Sequence, residues 1–522
     1  MLTDVVEKLW DVIVIGAGMG GGTVGRRLAE KGLSVLFVER GQIGSRAEQN
    51  YGSTESTDPN TRLVRGLWPE PMNAQINGRT SQFFSGIGAG VGGTSAFYAA
   101  ALERPERHDL DHSAERPHPT AGWPEPFQSW LPYFDDVEKT FHVCGEQDPR
   151  GTTPSVLLPP PSLTTSDKAI MDRFRRNDLN PYHSHLGIRF LPGCNLCLGH
   201  KCPRACKMDG RSAGVEPALE TGNAAILDLC EVKALHGTKN SITHIEARRG
   251  GEDLKLHAKQ FILAAGAFGS PRILLASQND YWPNGCANSS GLVGRNLMFH
   301  LTEMLAIWAP RGTPFQGASK AITLRDFYYH NNHRLGMLQS MGLEASYGVI
   351  ANYLKGLFDR SALRNMKRLR RLSPLPAYAA AKLFGKANVF AGIIEDLPYS
   401  HNRVIFDRHN PSGMRFEYAI ADELIERRRQ FRQLVRKRTS GIRSVFLNME
   451  PELNFPHCCG TLRFGNDPSS SVLDKFCRSH DIRNLYSTDS SFMPTSLGVN
   501  PSLVIAANAM RVGDRIANDY SI

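Results

Sequence analysis

Leu9-Trp10-Asp11-Val12-Ile13-Val14-Ile15-Gly16-Ala17-Gly18-Met19-Gly20-Gly21 is the stretch whose reading decides the fold. A short β-branched run from Asp11 to Ile15 passes straight into Gly-x-Gly-x-x-Gly. Thr23 to Lys31 then has helical composition, and Leu33 to Val38 reads as a second strand. The order strand, glycine loop, helix, strand predicts a βαβ unit that binds a dinucleotide. Each glycine has a physical reason. Gly16 permits the tight turn, Gly18 lets backbone approach a pyrophosphate, and Gly21 allows close helix-strand packing, while free N–H groups at the helix start attract the anion. Glu39 closes the second strand, where an acidic side chain accepts from ribose hydroxyls. On these residues alone, NAD and FAD both stay open.

Outward from this motif, 522 residues suffice for two or three domains, and 48 glycines with 41% hydrophobic residues describe an ordinary α/β enzyme. The net charge of +10 is spread along the chain except for one dense stretch from Lys355 to Lys386. Nucleic acid is therefore not an expected partner. The basic stretch mixes Lys and Arg with Leu, Phe and Met at roughly helical spacing, which suits a solvated helical hairpin, a membrane surface or an electron acceptor. No run of eighteen apolar residues occurs, since the candidate Phe261 to Ser277 contains glycines, Pro271 and Arg272, so no membrane span is expected. The N-terminus shows no basic segment leading an apolar run and no cleavage site, and a cytoplasmic location is the expectation. Residues 46–80 and 104–125 read as loops and lids. Another buried strand with a following turn and helix is expected around Gln260 to Ala265, one more strand from Ile226 to Val232, and a further strand and helix in the last sixty residues. The nucleotide domain is thus discontinuous, with 300–455 inserted.

Further segments resemble the glucose-methanol-choline (GMC) oxidoreductases. Gly88-Ala89-Gly90-Val91-Gly92-Gly93-Thr94-Ser95 is similar to the family's first signature, and Phe261 through Ser277 to the second. Gly122-Trp123-Pro124, Pro132-Tyr133-Phe134, Gly294 to Met298 ending at His300, and Asn402-Arg403-Val404 are smaller matches. At the C-terminus come His457-Cys458-Cys459-Gly460-Thr461, Asp489, Pro494 and Asn500-Pro501. The resemblance implies a Rossmann-like FAD-binding domain with an inserted α+β substrate domain. Expected boundaries are 1–105, 186–300 and 455–522 for the FAD domain, 106–185 for a lid and substrate-domain segment, and 301–454 for the substrate domain. It also implies that FAD is held by Gly92, Gly93, Thr94, Val232, Ala265, Gly266, Asp489, Asn500 and Pro501 besides the opening glycines and Glu39. Asp489 reads from sequence alone equally as a turn cap. Where relatives commonly carry Asn this chain has Tyr98, and where some carry a flavin-linking His it has Phe97, which implies noncovalent FAD.

Alcohol oxidation needs a base for the hydroxyl proton while the carbinol hydrogen leaves as hydride, and imidazole suits the first task near neutral pH. The resemblance makes His457 that base and gives Asn500 the second position, a donor to the developing alkoxide. The expected substrate is a small polar alcohol. The 522-residue form with its cysteines resembles the flavin oxidases that act on a sugar hydroxymethyl group in aminoglycoside biosynthesis, with oxygen or another acceptor taking the electrons. Glu395 and Asp396 read equally as partners for the cationic groups of an amino sugar and as a solvent-facing strand end. Alternatives are a sugar, choline or other alcohol dehydrogenase, and a non-catalytic FAD-binding electron carrier, against which intact His457 and Asn500 argue. Cys194, Cys197, Cys202 and Cys206 form C-x2-C-x4-C-x3-C, a pattern open to a metal or iron-sulfur cluster, to redox or structural thiols, or to neither. No residue is assigned as a metal ligand.

Overall fold

The computed structural model describes residues 2–46, 57–194, 196–343 and 374–520, with scattered positions between 347 and 366. The opening motif forms the strand Leu9–Ile15, the helix Met19–Glu30 and the strand Val35–Val38. Both strands are parallel, with Val12 opposite Val35. Distant segments extend the layer: Glu252–Leu263 pairs beside the first strand, Ala224–Leu227 beside the second, and Leu485–Ser487 beside Glu252–Leu263, all parallel. The apolar runs Val12 to Ile15 and Val35 to Val38 are wholly buried, as strands of a parallel sheet covered by helices must be. The helices Met19–Glu30 and Ser502–Tyr520 pack on one another in that cover. Beyond its parallel partners, Glu252–Leu263 continues into an antiparallel meander with Ser241–Arg249 and Cys230–Thr238.

A second sheet is built mainly from Leu301–Ile307, Asn388–Ile394, Gly336–Ser340 and Ile322–Leu324, with Tyr182–His183 and Ser444–Phe446 at its edges. Its own core includes Leu305, Leu338, Phe390 and Phe431.

Three expectations change. The helix begins at Met19 rather than Thr23, because the intervening glycines lie in helix pressed against other backbone. A Cβ at Gly20 would lie 2.0 Å from the Thr488 carbonyl oxygen, and one at Gly22 would lie 2.3 Å from that of Gly210. The expected strand Ile226 to Val232 is two strands, since Leu229 takes a left-handed φ of 50° and ends the extended run. The stretch 46–80 is not all loop: Pro59–Arg65 is helical, and Met72–Ile76 and Arg79–Phe83 form a hairpin. Asn77 and Gly78 turn it with φ of 49° and 76°, the Asn-Gly signature of a two-residue hairpin turn. That hairpin then pairs with Met414–Tyr418, adding a third sheet beside the inserted region. Half of the basic stretch Lys355 to Lys386 lies outside the described residues, and its described part is mainly the helix Pro374–Phe384. No described helix is long and apolar enough to cross a membrane.

Candidate active site

The carboxyl ends of the parallel strands and the second sheet share a cavity of about 610 Å³. At one end the first strand turns at Gly16, whose φ of 104° and hypothetical Cβ, 2.5 Å from the Ala264 carbonyl oxygen, admit only glycine. Gly21 meets the Gly16 carbonyl in the same way, at 2.0 Å. Gly18 differs. Its Cβ would have only Gly93 Cα as neighbour, at 3.8 Å, and the residue lines the cavity, so backbone here is bared to a ligand. Gly92 and Gly93, with φ of 98° and 53°, bring the second glycine loop against the first. Thr94 lines the same wall and accepts from Gly88 N at 3.1 Å.

Glu39 is buried at the end of its strand, with its carboxylate taking N–H groups of Ala17 at 2.8 Å and Gly41 at 3.0 Å. Burial raises its pKa, and both backbone donors oppose the rise. Val232 also lines the cavity, and one lone pair of its carbonyl is taken by Arg272 Nη2 at 3.0 Å. Sequence reasoning missed Arg40 and Arg272, which line this end. Arg40 Nη1 and Arg272 Nε are buried without a hydrogen-bond partner among the described residues. Arg272 stands inside the second family signature, and its charge in an apolar helix was the signal available.

Asp489 sits in the wall, yet its carboxylate is filled by protein donors. Oδ2 accepts from Gly266 N at 2.9 Å and from the Ser270 hydroxyl, and Oδ1 accepts from Ser491 N at 2.8 Å and from the Ser491 hydroxyl. Four donors on four lone-pair sites make it the cap that clamps the turn at Ala265-Gly266 to the turn at 490–492. Phe97 and Tyr98 line the cavity as well, and the Tyr98 hydroxyl donates to the Met208 carbonyl. His200, which sequence reasoning passed over, shares their wall.

At the other end His457, in a short 3-10 turn Phe455–His457, and Asn500, just before Pro501, line the cavity together. Asn500 is buried, and its Oδ1 has no partner among the described residues. His457 Nδ1 lies 3.0 Å from Nδ1 of His300, whose Nε2 lies 2.9 Å from the Leu497 carbonyl oxygen. Burial pushes the His300 pKa down to about 4, and burial with His300 alongside holds His457 well below the usual histidine value. Both rings are neutral at pH 7. The second sheet contributes Thr302, Gln339 and Ile393 to the facing wall, with Met341 just past the end of its strand.

Glu395 and Asp396 do not face this cavity, contrary to expectation. Glu395 is buried in an ion pair with Arg334, Oε2 to Nε 2.6 Å, and Asp396 accepts from Tyr418 Oη at 2.6 Å and Phe299 N at 2.9 Å. Both carboxylates are thus taken up by protein partners, Glu395 by Arg334 and Asp396 by Tyr418 of the third sheet and the N–H of Phe299. The cysteine loop lies beside the cavity, where Leu198 and Gly199 touch its wall. All four thiols are free, and Cys202 Sγ accepts from Cys206 N at 3.2 Å and Lys207 N at 3.5 Å. Among the described residues no group of three or more His, Cys, Asp or Glu side chains is arranged to hold a metal ion.

A parallel sheet with paired glycine loops, a second sheet, and a cavity between them that ends at a histidine define an oxidoreductase built on a dinucleotide. The chain belongs to the GMC oxidoreductases: the two family descriptions, each "GMC oxidoreductase", match residues 11–302 and 398–509. It is an FAD-dependent enzyme acting on alcohol groups. It is 26% identical to paromamine 6'-oxidase of Streptomyces fradiae, with 98% of this chain and 92% of the relative covered. It is equally 26% identical to 2-methyl-1,2-propanediol dehydrogenase of Mycolicibacterium austroafricanum, over 98% and 96% of the two chains. Among solved structures, pyridoxine 4-oxidase from Mesorbium loti superposes with a TM-score of 0.63 at 17% identity, covering 97% of this chain and 99% of that one.

Proposed function

We propose that the protein oxidises the hydroxymethyl group of a sugar or amino sugar to an aldehyde, using noncovalently held FAD. The chain's residues fit that cofactor. Gly18 bares backbone to the cavity, Glu39 stands at the ribose end with acceptor capacity left, and Phe97 offers no atom for a covalent link. FAD, when bound, supplies the hydride acceptor. His457 takes the hydroxyl proton, which a neutral imidazole on the cavity wall can do near pH 7. Asn500 holds the same oxygen from a second direction, donating as negative charge builds there. The observation that carries this reading is that His457 and the Asn500 amide, whose Nδ2 is the donor the reading needs, line one cavity wall.

Similarity to paromamine 6'-oxidase supports the substrate class. So do Thr302 and Gln339 of the second sheet and Asn454 at the start of the His457 turn, which bring hydroxyl and amide groups to the cavity, Thr302 Oγ1 being buried without a partner among the described residues. No described carboxylate from the second sheet lines the cavity, which favours recognition through substrate hydroxyls over ammonium groups. Electrons leave to oxygen or to another acceptor, and hydrogen peroxide in an aerobic reaction tells the two apart.

Anaerobic bleaching of the flavin by glucose, paromamine, choline and benzyl alcohol tests the reading. A sugar or amino sugar should bleach the wild-type protein, and His457→Ala should keep its FAD without being bleached. Bleaching by choline or benzyl alcohol alone would overturn the substrate class, and undiminished bleaching of His457→Ala would overturn the base.

A further inference from the structure

His300 touches His457 but has no part in the scheme above. We infer that His300 is a positioning residue that selects the tautomer of His457, accepting its Nδ1–H so that Nε2 is left bare toward the cavity. The inference rests on the reading of His457 as base.

A carbonyl oxygen only accepts, so the contact of 2.9 Å between His300 Nε2 and Leu497 O requires the proton of His300 on Nε2. In a neutral ring His300 Nδ1 is then an acceptor. The Nδ1 to Nδ1 contact of 3.0 Å is a hydrogen bond only if His457 carries its proton on Nδ1. Neutral His457 is left with a bare Nε2, and that nitrogen has no protein hydrogen bond among the described residues. The reverse direction would need His300 doubly protonated at a fully buried position, 0% exposed, where burial already holds its pKa near 4.

The backbone keeps the two rings in register. Met298 and Cys459 exchange N–H to carbonyl bonds of 3.0 Å, and Asn454 N donates to the His300 carbonyl at 2.9 Å. The charge of Glu395 raises the His300 pKa against burial, but the charged groups near the rings are hydrogen-bonded elsewhere. Glu395 is bound to Arg334, Arg427 to Glu423 and to backbone carbonyls, and Asp396 to Tyr418 and to the N–H of Phe299. A neutral acceptor behind His457 also suits proton transfer, because the imidazolium formed at Nε2 keeps its Nδ1–H bond.

The test uses FAD-loaded protein labelled with 15N-histidine, whose long-range 15N–1H correlations report which ring nitrogen bears the proton. Wild type should show His457 protonated on Nδ1. In His300→Leu, with no acceptor, the proton should move to Nε2, whereas His300→Asn, presenting Oδ1 near the lost nitrogen, should restore the wild-type pattern. Diethyl pyrocarbonate, which acylates an unprotonated ring nitrogen, should modify His457 roughly tenfold more slowly in His300→Leu, the weight of one hydrogen bond. A His457 proton on Nε2 in wild type, or an unchanged pattern and acylation rate in a folded His300→Leu that retains FAD, would overturn the inference. Should His300→Leu not fold, His300→Asn decides: it must keep the Nδ1 proton. Bleaching of His457→Ala by substrate would sink the base assignment instead, without altering these spectra.

Discussion

At Asn500 the chain tolerates a buried amide oxygen with no protein donor among the described residues, an arrangement that costs about 1–3 kcal/mol when nothing satisfies it. Asn500 lines the cavity beside His457, so a ligand hydroxyl donating to this oxygen would offset the cost, while Nδ2 of the same side chain is the group proposed to donate to the alkoxide. Asn500→Ala should therefore leave the protein folded and the flavin spectrum nearly native. It should slow substrate-dependent flavin reduction about a hundred- to thousandfold, the loss of one transition-state donor worth about 2.7–4 kcal/mol. Asn500→His, which still donates, should retain substantial activity. Stopped-flow reduction without oxygen measures both, and an alanine variant at the wild-type rate would reduce Asn500 to a cap before Pro501. Asp489 is the contrasting residue. It lines the same cavity, but its carboxylate takes four protein donors that tie two turns together.

The glycine loop shows how one element serves folding and binding with different residues. Gly21 is needed by the fold, because a Cβ there would lie 2.0 Å from the Gly16 carbonyl oxygen. Gly18 is not needed by the fold, since its Cβ would meet nothing nearer than 3.8 Å, and we propose that it serves the ligand by baring backbone to the cavity. Gly18→Ala should keep nearly the wild-type melting temperature as apoprotein while losing FAD, and Gly21→Ala should unfold or fail to accumulate. Thermal melts beside the flavin-to-protein absorbance ratio separate the two. Equal FAD retention in Gly18→Ala would show that the cofactor does not pass over this residue. The Asn77-Gly78 hairpin gives the opposite lesson at this scale. Its turn signal was legible, but flanking polar residues hid the strands, because their partner Met414–Tyr418 lies more than three hundred residues away.

Across the whole molecule the cavity joins a sheet assembled from three distant stretches of chain to a second sheet inserted between them. A cofactor lying between the two should stabilise them as a unit, by about 2.7 kcal/mol at a hundredfold excess over its dissociation constant. Stripping FAD should lower the melting temperature, and adding it back should restore the loss in a concentration-dependent way. Acid precipitation should leave the flavin in the supernatant, since Phe97 can form no bond to it. Flavin carried down with the chain would contradict noncovalent binding and direct attention to His200 on the same wall.

Local pattern determined the nucleotide half, because a β-branched run, a glycine spacing and a closing acid at Glu39 act on backbone within a few turns of one another. His457, Asn500 and the second signature at Phe261 to Ser277 were singled out for a related reason, by short motifs, and the fold brings His457 and Asn500 to one cavity wall. Burial and partnership were decided only by tertiary structure. Glu395 and Asp396 read as free carboxylates until Arg334 and Tyr418, distant in sequence, were brought against them. His300 read as the end of a loop motif until the ladder between Met298 and Cys459 set its ring against His457. A charge or a ring nitrogen acquires its role from what stands within about 3 Å of it, and that distance is settled by packing between segments which the sequence keeps far apart.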